Sequence, residues 1–175
     1  MTHAAFSVHP TPIGEALIVV TDEGLAHLEF LEGPAGDAVQ RIGLLRHAVP
    51  VADAAATADV RTQLDEYFAG ERRRFDLPLD LGVTTGFVRA ALEAVTRIPF
   101  GQTASYAEIA IEAGSPGANR AVGSACARTP ISLVIPAHRV VRSDGSIGEY
   151  GGHPERKRYL LDLEERVAAA DPSGV

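Results

Sequence analysis

The chain has 175 residues, of which 46% are hydrophobic and 22% charged, an ordinary balance for a soluble globular protein. Its apolar runs are far shorter than a membrane span, and its first residues lack the pattern of a secretory signal. The single cysteine, Cys126, excludes an intramolecular disulfide and fits a reducing cytoplasm. No Cys/His spacing indicates a zinc site. We therefore expect a cytoplasmic protein without a metal, a cofactor or a membrane partner.

The charge is unevenly distributed along the chain. The formal net charge is −7, but no acidic residue occurs between Ala113 and Ser143, where four arginines lie: Arg120, Arg128, Arg139 and Arg142. A local basic face on an acidic protein can still neutralise phosphates. Taken alone, the run is equally compatible with four solvated arginines.

The first 82 residues predict a small lobe that contains a sheet. Its predicted elements are a β-hairpin over residues 5–30 with strands Ala16–Val20 and Leu25–Phe30, a helix and loop over 33–59, a helix over Val60–Phe68, and a strand within 71–80. The hairpin is predicted from the apolar run of its first strand, the alternating residues of its second strand and the turn between them, which ends in Gly24. The last strand rests on the alternation of Phe75, Leu77 and Leu79.

A glycine-rich linker over residues 82–86 precedes a second set of predicted elements. These are a helix over Phe87–Arg97, a helix from Ser105 to Ala113, a helix from Ser115 to about Arg128, a turn over 143–146, a loop over 147–152 and a helix over Glu155–Arg166. Ser105 and Glu108 have the spacing of a capping box, and Ser115-Pro116 is typical of a helix start. We expect Glu155–Arg158 to be exposed and residues 168–175 to be a disordered tail.

Two features of this second half indicate function. The pair of short helices joined by a glycine turn is compatible with a helix-turn-helix, although many helical hairpins share the pattern. The stretch Ile131–Val141 places Pro-Ala-His-Arg between two apolar runs, which predict core strands that hold the turn rigidly. A histidine next to an arginine is unfavourable in an apolar core, so we expect this turn to present its side chains to a cleft.

Seven segments, taken together and in order, resemble the O6-alkylguanine-DNA alkyltransferases. They are Gln63–Gly70, Phe75–Leu79, Ile98–Thr103, Ser105–Tyr106, Asn119–Gly123, Ile135–Val141 and Gly148–Gly152. The resemblance implies an α+β fold with a sheet-containing N-terminal lobe over 1–82, a winged helix-turn-helix DNA-binding and lesion-pocket lobe over 83–167, and a tail over 168–175. Members of this family bind the minor groove and rotate the damaged guanine into a pocket.

The resemblance also implies roles for individual residues. The catalytic positions are Ala137, His138 and Glu164; the DNA-binding positions are Tyr106, Ser115, Arg120, Gly123 and Ser143; the lesion pocket is formed by Cys126, Thr129, Pro136, Val140, Tyr150, Gly151 and Gly152. Tyr106 matches a phosphate-contacting Tyr, and Arg120 matches the Arg that fills the space left by the flipped base. Without the resemblance, Tyr106 could be a core residue, and Arg120 and Glu164 could be surface residues.

The chain departs from the family at its most important position. Ala137 stands where the family has its acceptor cysteine, and a methyl side chain cannot accept an alkyl group. Thr129 replaces an Asn of the family and Leu92 replaces a Trp. Cys126 lies outside the acceptor position, and we interpret it as a small buried filler.

Three functions follow from this departure. The first is a binding module, similar to the alkyltransferase-like proteins, which recognise O6-alkylguanine and hand it to nucleotide excision repair; those proteins usually lack the N-terminal lobe. The second is a suicidal methylated-DNA–protein-cysteine methyltransferase whose cysteine was replaced by Ala, which the intact His138 and Glu164 favour. The third is water activation by this pair. We expect the first: a monomer whose partners are duplex DNA with alkylated guanine and nucleotide excision repair proteins.

Overall fold

The structure, a computed structural model, describes residues 3–174, which form two compact units. The first unit contains the residues up to Val83 together with Pro130–Ser132. The second contains Thr84–Thr129 and the residues from Leu133 onward. Its class is α+β, as expected, with the larger sheet in the N-terminal unit. No helix within residues 3–174 is long and apolar enough to cross a membrane.

A four-stranded sheet in the order β3-β2-β1-β4 forms the framework of the first unit. Its strands are β1 Ala4–Thr11, β2 Gly14–Thr21, β3 Gly24–Phe30 and β4 Val51–Ala52. The first three strands are antiparallel neighbours, whereas β4 runs parallel to β1. Both predicted hairpin strands are present as β2 and β3.

Strand β1 is absent from the sequence prediction because polar residues interrupt its apolar pattern. Their partners explain them: the Ser7 hydroxyl lies 2.6 Å from the Thr57 hydroxyl, and His9 Nε2 lies 2.6 Å from Asp65 Oδ1. Thr57 and Asp65 belong to the start and the body of helix α2, Ala58–Phe68. Hydrogen bonds between side chains thus hold β1 against α2. A prediction from alternating apolar residues assumes apolar contacts at these positions and therefore misses the strand.

The helices of the first unit bury the faces that their sequences present. Helix α1, Ala35–Arg46, contributes Ala38 and Ile42 to a cluster with Leu17 and Val19 of the sheet. The predicted helix at Val60–Phe68 is confirmed as α2, which buries Val60, Leu64 and Tyr67. Burial of such side chains supplies most of the stability of short helices.

The strand predicted within residues 71–80 is wrong, because the backbone there is bonded elsewhere. Only one bridge forms, between Leu79 and Leu25. The Gln63 side-chain amide satisfies both backbone groups of Asp76, because it donates to the Asp76 carbonyl and accepts from the Asp76 N–H. Pro78 has no N–H to extend a ladder, so the alternating apolar residues pack without strand pairing.

The second unit is mainly helical. Its elements are α3 Gly86–Thr96, β5 Ala104–Ser105, α4 Tyr106–Glu112, α5 Asn119–Ala127, a 3₁₀ turn at Ala137–Arg139, β6 Val140–Val141 and α6 Pro154–Ala170. Strands β5 and β6 pair in parallel. The capping box is present: the Ser105 hydroxyl accepts the Glu108 N–H, and the Glu108 carboxylate accepts the Ser105 N–H.

Two predicted helix boundaries in this unit are wrong. Helix α5 begins at Asn119 because Gly117 has a φ of +86° and residues 115–118 form a turn, closed by an Ala118 N–H bond to the Ser115 carbonyl. Pro at the second position suits such a turn as well as a helix. Helix α6 continues to Ala170, since Ala168, Ala169 and Ala170 are strong helix formers. Part of the predicted disordered tail is therefore helical.

The central stretch differs most from its prediction. Instead of two core strands it forms one bridge, between Ile131 and Leu28, and the two-residue strand β6. The turn between them buries its side chains: Ala137 is 4% exposed, His138 0% and Arg139 7%. The expectation that these side chains point into an open cleft is wrong. A buried polar turn of this kind requires internal partners, which the second unit supplies.

Candidate functional site

The innermost polar pair of the second unit joins the 3₁₀ turn to helix α6. His138 Nε2 lies 2.9 Å from Glu164 Oε1, and the two side chains are 0% and 1% exposed. The second ring nitrogen of His138, Nδ1, is also buried and has no hydrogen-bond partner. One side of the imidazole is therefore fixed by a carboxylate, and the other remains available for a group that comes close to it.

Arg139 completes this network, and the sequence prediction did not include it among the site residues. Its Nε donates to Glu164 Oε2 at 2.9 Å and its Nη2 donates to Glu164 Oε1 at 2.8 Å. Nη1 donates to the Ile98 carbonyl at 2.7 Å, and the Gly101 N–H donates to Glu164 Oε2 at 3.2 Å. The available signal was its position beside His138 in an apolar segment, where an arginine needs an acidic partner.

The surroundings of this pair determine its protonation. Burial by itself would raise the pKa of Glu164, but hydrogen bonds from His138 and Arg139 outweigh it and lower that pKa to about 2. Burial lowers the pKa of His138, although the Glu164 carboxylate opposes the shift. At neutral pH the imidazole is therefore neutral, with its Nε2 proton donated to Glu164. Its Nδ1 lone pair can accept a proton from a neighbouring acid.

The residue next to His138 has no ionisable side-chain proton that the imidazole could accept. Ala137 is buried, and its N–H is bonded to the Ile135 carbonyl at 2.8 Å. The chain's one thiol, Cys126, lies near the end of α5 and is half-buried. Burial raises the pKa of the Cys126 thiol to about 11, so its nucleophilic thiolate is scarce at neutral pH. The site thus contains a histidine base without an activated sulfur.

A second cluster contains Tyr106, Cys126, Tyr150 and Lys157; we call it the Tyr106 cluster. Lys157 of α6 is 0% exposed, its Nζ donates to the Val140 carbonyl at 2.6 Å, and it lies 5.8 Å from the centre of the Tyr106 ring. The expectation that Glu155–Arg158 forms an exposed face is wrong for Lys157. Burial lowers the pKa of Lys157 to about 8.

Tyr150 and Cys126 adjoin the same cluster. The Tyr150 hydroxyl is buried without a hydrogen-bond partner, and burial raises its pKa. The charge of the Cys126 thiolate is among the influences on the pKa values of Tyr106, Tyr150 and Lys157. A Cβ atom at Gly148 would lie 3.2 Å from the Tyr106 hydroxyl, so glycine permits the close approach of the loop.

The remaining predicted site residues are distributed between this cluster and the surface. Gly123 faces Tyr106, because a Cβ atom there would lie 3.8 Å from the Tyr106 ring. Pro136 and Val140 are buried, whereas Ser115 and Thr129 are half-buried. Four predicted residues are exposed: Arg120, Ser143, Gly151 and Gly152. Within residues 3–174, no group of three His, Cys, Asp or Glu side chains could hold a metal ion.

Comparison with known proteins identifies both units. Residues 5–81 match the ribonuclease-like domain of 6-O-methylguanine DNA methyltransferase, and residues 86–166 match its DNA binding domain. The methylated-DNA–protein-cysteine methyltransferase of Methanosarcina barkeri is 38% identical over 166 residues, which cover 91% of this chain and 96% of that protein.

Two solved structures from Mycobacterium tuberculosis are also similar. Its O6-methylguanine methyltransferase has a TM-score of 0.81 and 37% identity, covering 97% of this chain and 98% of that one. The crystal structure of Mycobacterium tuberculosis OGT in complex with DNA has a TM-score of 0.80 and 36% identity, with 94% of each chain covered. The predicted family is therefore confirmed: the chain belongs to the 6-O-methylguanine DNA methyltransferase family.

Proposed function

We propose that this protein recognises O6-alkylguanine in duplex DNA by minor-groove binding and base flipping, and does not transfer the alkyl group. The damaged duplex is the main partner, and the protein acts as a cytoplasmic monomer. Support comes from the match of residues 86–166 to a family DNA binding domain and from a similar protein crystallised with DNA. Because recognition alone leaves the lesion in place, nucleotide excision repair proteins are the proposed next partners.

One observation carries the absence of transfer. The His138–Glu164 pair is intact and buried, its free Nδ1 has no partner, and the adjacent residue is Ala137. Alkyl transfer to protein requires a nucleophile that a neighbouring base can deprotonate. We assign the acceptor position of the family to Ala137, so the base remains while the nucleophile is missing.

The proposed binding surface consists of the second unit's exposed and half-buried site residues. Helices α4 and α5 form the helix-turn-helix, and the segment between Ala113 and Ser143 has no acidic residue to repel phosphates. The Arg120 side chain, exposed in the first turn of α5, fills the space vacated by the extruded base. Extrusion costs a few kcal/mol, which such an inserted side chain partly offsets.

The extruded base enters a pocket at the Tyr106 cluster. We assign its walls to Cys126, Thr129, Pro136, Val140 and residues 150–152. Tyr106 contacts a phosphate at the mouth of this pocket, and the Ser115, Gly123 and Ser143 backbone supports the DNA-binding surface. The raised pKa of Cys126 argues against this thiol as a substitute acceptor.

Binding and transfer can be separated with one labelled duplex. We expect a duplex carrying O6-[methyl-³H]guanine to form a complex that weakens as salt increases, because phosphate contacts release counterions. The protein recovered from this complex should carry no label. An undamaged duplex of the same sequence is the control, and it should bind more weakly. Equal affinity for both duplexes, or label bound covalently at Cys126 or elsewhere, would contradict the proposal.

The intact catalytic pair favours a second candidate. A suicidal methylated-DNA–protein-cysteine methyltransferase captured as a Cys-to-Ala variant would retain His138, Glu164 and the supporting Arg139 in the arrangement found here. A protein lineage that had long ago lost alkyl transfer would have had no need to keep His138 and Glu164. The two candidates share the lesion pocket and differ in whether a cysteine at position 137 restores transfer.

A further inference from the structure

The first unit contains a pocket whose lining residues all belong to that unit. Its volume is about 260 Å³, below the range of about 300–1,000 Å³ that is typical of pockets for drug-sized ligands. The walls come from the start of β1, the end of β2, the β2–β3 turn, the end of α1 and the segment 80–83. Polar and apolar side chains both line it, so the pocket suits a small molecule with both kinds of group.

An ion pair in the pocket wall is complete on its acidic side only. Asp80 Oδ2 accepts from Thr21 Oγ1 at 2.8 Å and lies 2.6 Å from Arg46 Nη2. Asp80 Oδ1 accepts from the Gly82 N–H at 3.0 Å. Arg46 uses Nη2 alone, for this carboxylate and for the Asp80 carbonyl. A guanidinium has five N–H groups, and those on Nε and Nη1 of Arg46 form no hydrogen bond to a described residue.

The residue after this arginine holds a backbone conformation that favours glycine. His47 ends α1 with φ +52° and ψ +38°, in the left-handed region where helices usually end on glycine. Its imidazole is exposed, lines the pocket and forms no hydrogen bond within the described part of the chain. Internal packing therefore gives no reason for a histidine here. Its ring N–H adds a second donor to the pocket wall.

The pocket also contains an acceptor and apolar surface. Glu23, in the turn between β2 and β3, lines the pocket, and its carboxylate has no hydrogen bond or ion pair with any residue in the range 3–174. Leu45 and Val83 line the pocket while they are 56% and 39% exposed, so a ligand can remove apolar surface from water there. An occupant that meets all these features carries a negative acceptor, a positive donor and an apolar group.

We propose that this pocket binds a small zwitterion with an apolar side chain, an α-amino acid of the size of leucine. Its carboxylate accepts hydrogen bonds from Arg46 and His47, and its ammonium donates to Glu23. The apolar side chain covers Leu45 and Val83. Hydrogen bonds between charged groups are stronger than those between neutral groups, and a simple anion or a simple cation would leave one sign of charge unmatched. The inference is independent of the proposed lesion recognition.

Three ligands of similar shape separate the contributions of the two charges. L-Leucine carries both charges, 4-methylpentanoate lacks the ammonium, and 3-methylbutylamine lacks the carboxylate. Each would be titrated into full-length, ¹⁵N-labelled protein while the backbone amide resonances are followed. We expect saturable shifts with L-leucine at residues 45–48 and 80–83. Each analogue should bind at least about tenfold more weakly, in line with the loss of charge-assisted hydrogen bonds.

Two variants connect binding to the pocket and leave the Arg46–Asp80 pair in place. His47→Gly suits the left-handed backbone and removes the imidazole, so it should weaken L-leucine severalfold by removing a donor to the carboxylate. Glu23→Gln removes the negative charge, so it should weaken L-leucine severalfold and leave 4-methylpentanoate nearly unchanged. Glu71→Gln changes an exposed acid of the same unit outside the pocket, and this control should bind L-leucine like the unmodified protein.

The amide shifts decide between a zwitterion site and a pocket without this ligand. The expected result is a set of saturable shifts at the pocket with L-leucine, weakened in His47→Gly and Glu23→Gln and kept in Glu71→Gln. Absence of saturable shifts at millimolar L-leucine would overturn the inference. So would an analogue that binds as tightly as L-leucine, or a pocket variant that keeps the full affinity of the unmodified protein.

Discussion

Glu164 is the residue on which the candidate site depends most. Its carboxylate is 1% exposed and accepts hydrogen bonds from His138, Arg139 and the Gly101 N–H. Taking a charge out of water costs several kcal/mol, which only paired and well-directed donors can offset. The arginine therefore has a structural role, because it keeps Glu164 ionised and in place beside the imidazole.

Removing the Arg139 guanidinium should expose this dependence. Arg139→Met should lower the free energy of unfolding by about 3–5 kcal/mol, since it leaves a buried carboxylate without its charged partner. Urea denaturation followed by circular dichroism would measure the change. Arg41→Met is a matched control because Arg41 pairs with Glu29 at the surface, where about 1 kcal/mol or less is expected.

A double variant distinguishes lost pairing from lost packing. Arg139→Met combined with Glu164→Leu removes both buried charges and should be more stable than Arg139→Met alone. A double variant as unstable as the single one would mean that Arg139 contributes through its packing. In that case the ion pair would not explain why an arginine lies in this turn.

At the scale of elements, the sequence predicted those whose signal is local. The capping box at Ser105 and Glu108, the α2 helix and the two hairpin strands follow from spacing, periodicity and turn residues, and all are present. The false strand near Leu79 and the missing strand β1 have a different origin. The backbone near Leu79 bonds to Gln63, and the side chains of β1 bond to Thr57 and Asp65. These partners are distant in sequence, so a local residue pattern does not predict them.

The candidate site shows the same limit. The motif around His138 and Arg120 indicated the family, and with it the residues expected at the site. Lys157 and Arg139 were missed as site residues because charged side chains are usually exposed. Their partners, the Val140 carbonyl and Glu164, could be found only from the folded chain.

Gly24 tests how tightly one such distant contact constrains the hairpin. Its φ is +136°, and a Cβ atom there would lie 2.3 Å from the Pro78 carbonyl oxygen, which accepts the Leu25 N–H. Gly24→Ala should destabilise the protein by more than about 3 kcal/mol, combining a disfavoured backbone conformation with a clash against backbone. The midpoint of urea unfolding would report the loss.

Gly33→Ala is the control for this substitution. No atom lies within 4 Å of a Cβ placed at Gly33, so the change should alter stability by about 0.5 kcal/mol or less. If Gly24→Ala behaved like this control, the segment carrying Pro78 would have to be free to move away from the hairpin.

At the scale of the whole molecule, the chain retains both units of its family while the proposed acceptor position is Ala137. The N-terminal unit has its own sheet and buried cluster, and the second unit has the buried His138–Glu164 pair. We propose that the acceptor position alone lacks its chemical group, because His138, Arg139 and Glu164 keep their mutual hydrogen bonds. We therefore expect a protein that binds DNA as its relatives do and lacks only the nucleophile for transfer.

The most direct measurement is the intact mass of Ala137→Cys after incubation with an O6-methylguanine duplex. The His138 Nδ1 base should deprotonate the new thiol, which a neighbouring imidazole can shift below its usual pKa of about 8.5. We predict that this variant gains the mass of one methyl group per chain, whereas the unmodified protein and Ala137→Cys/His138→Ala gain none or gain it far more slowly. An unmodified protein that becomes methylated would contradict the proposed absence of transfer. An Ala137→Cys variant that binds the lesion but never gains the methyl group would exclude the inactivated transferase and leave the binding module.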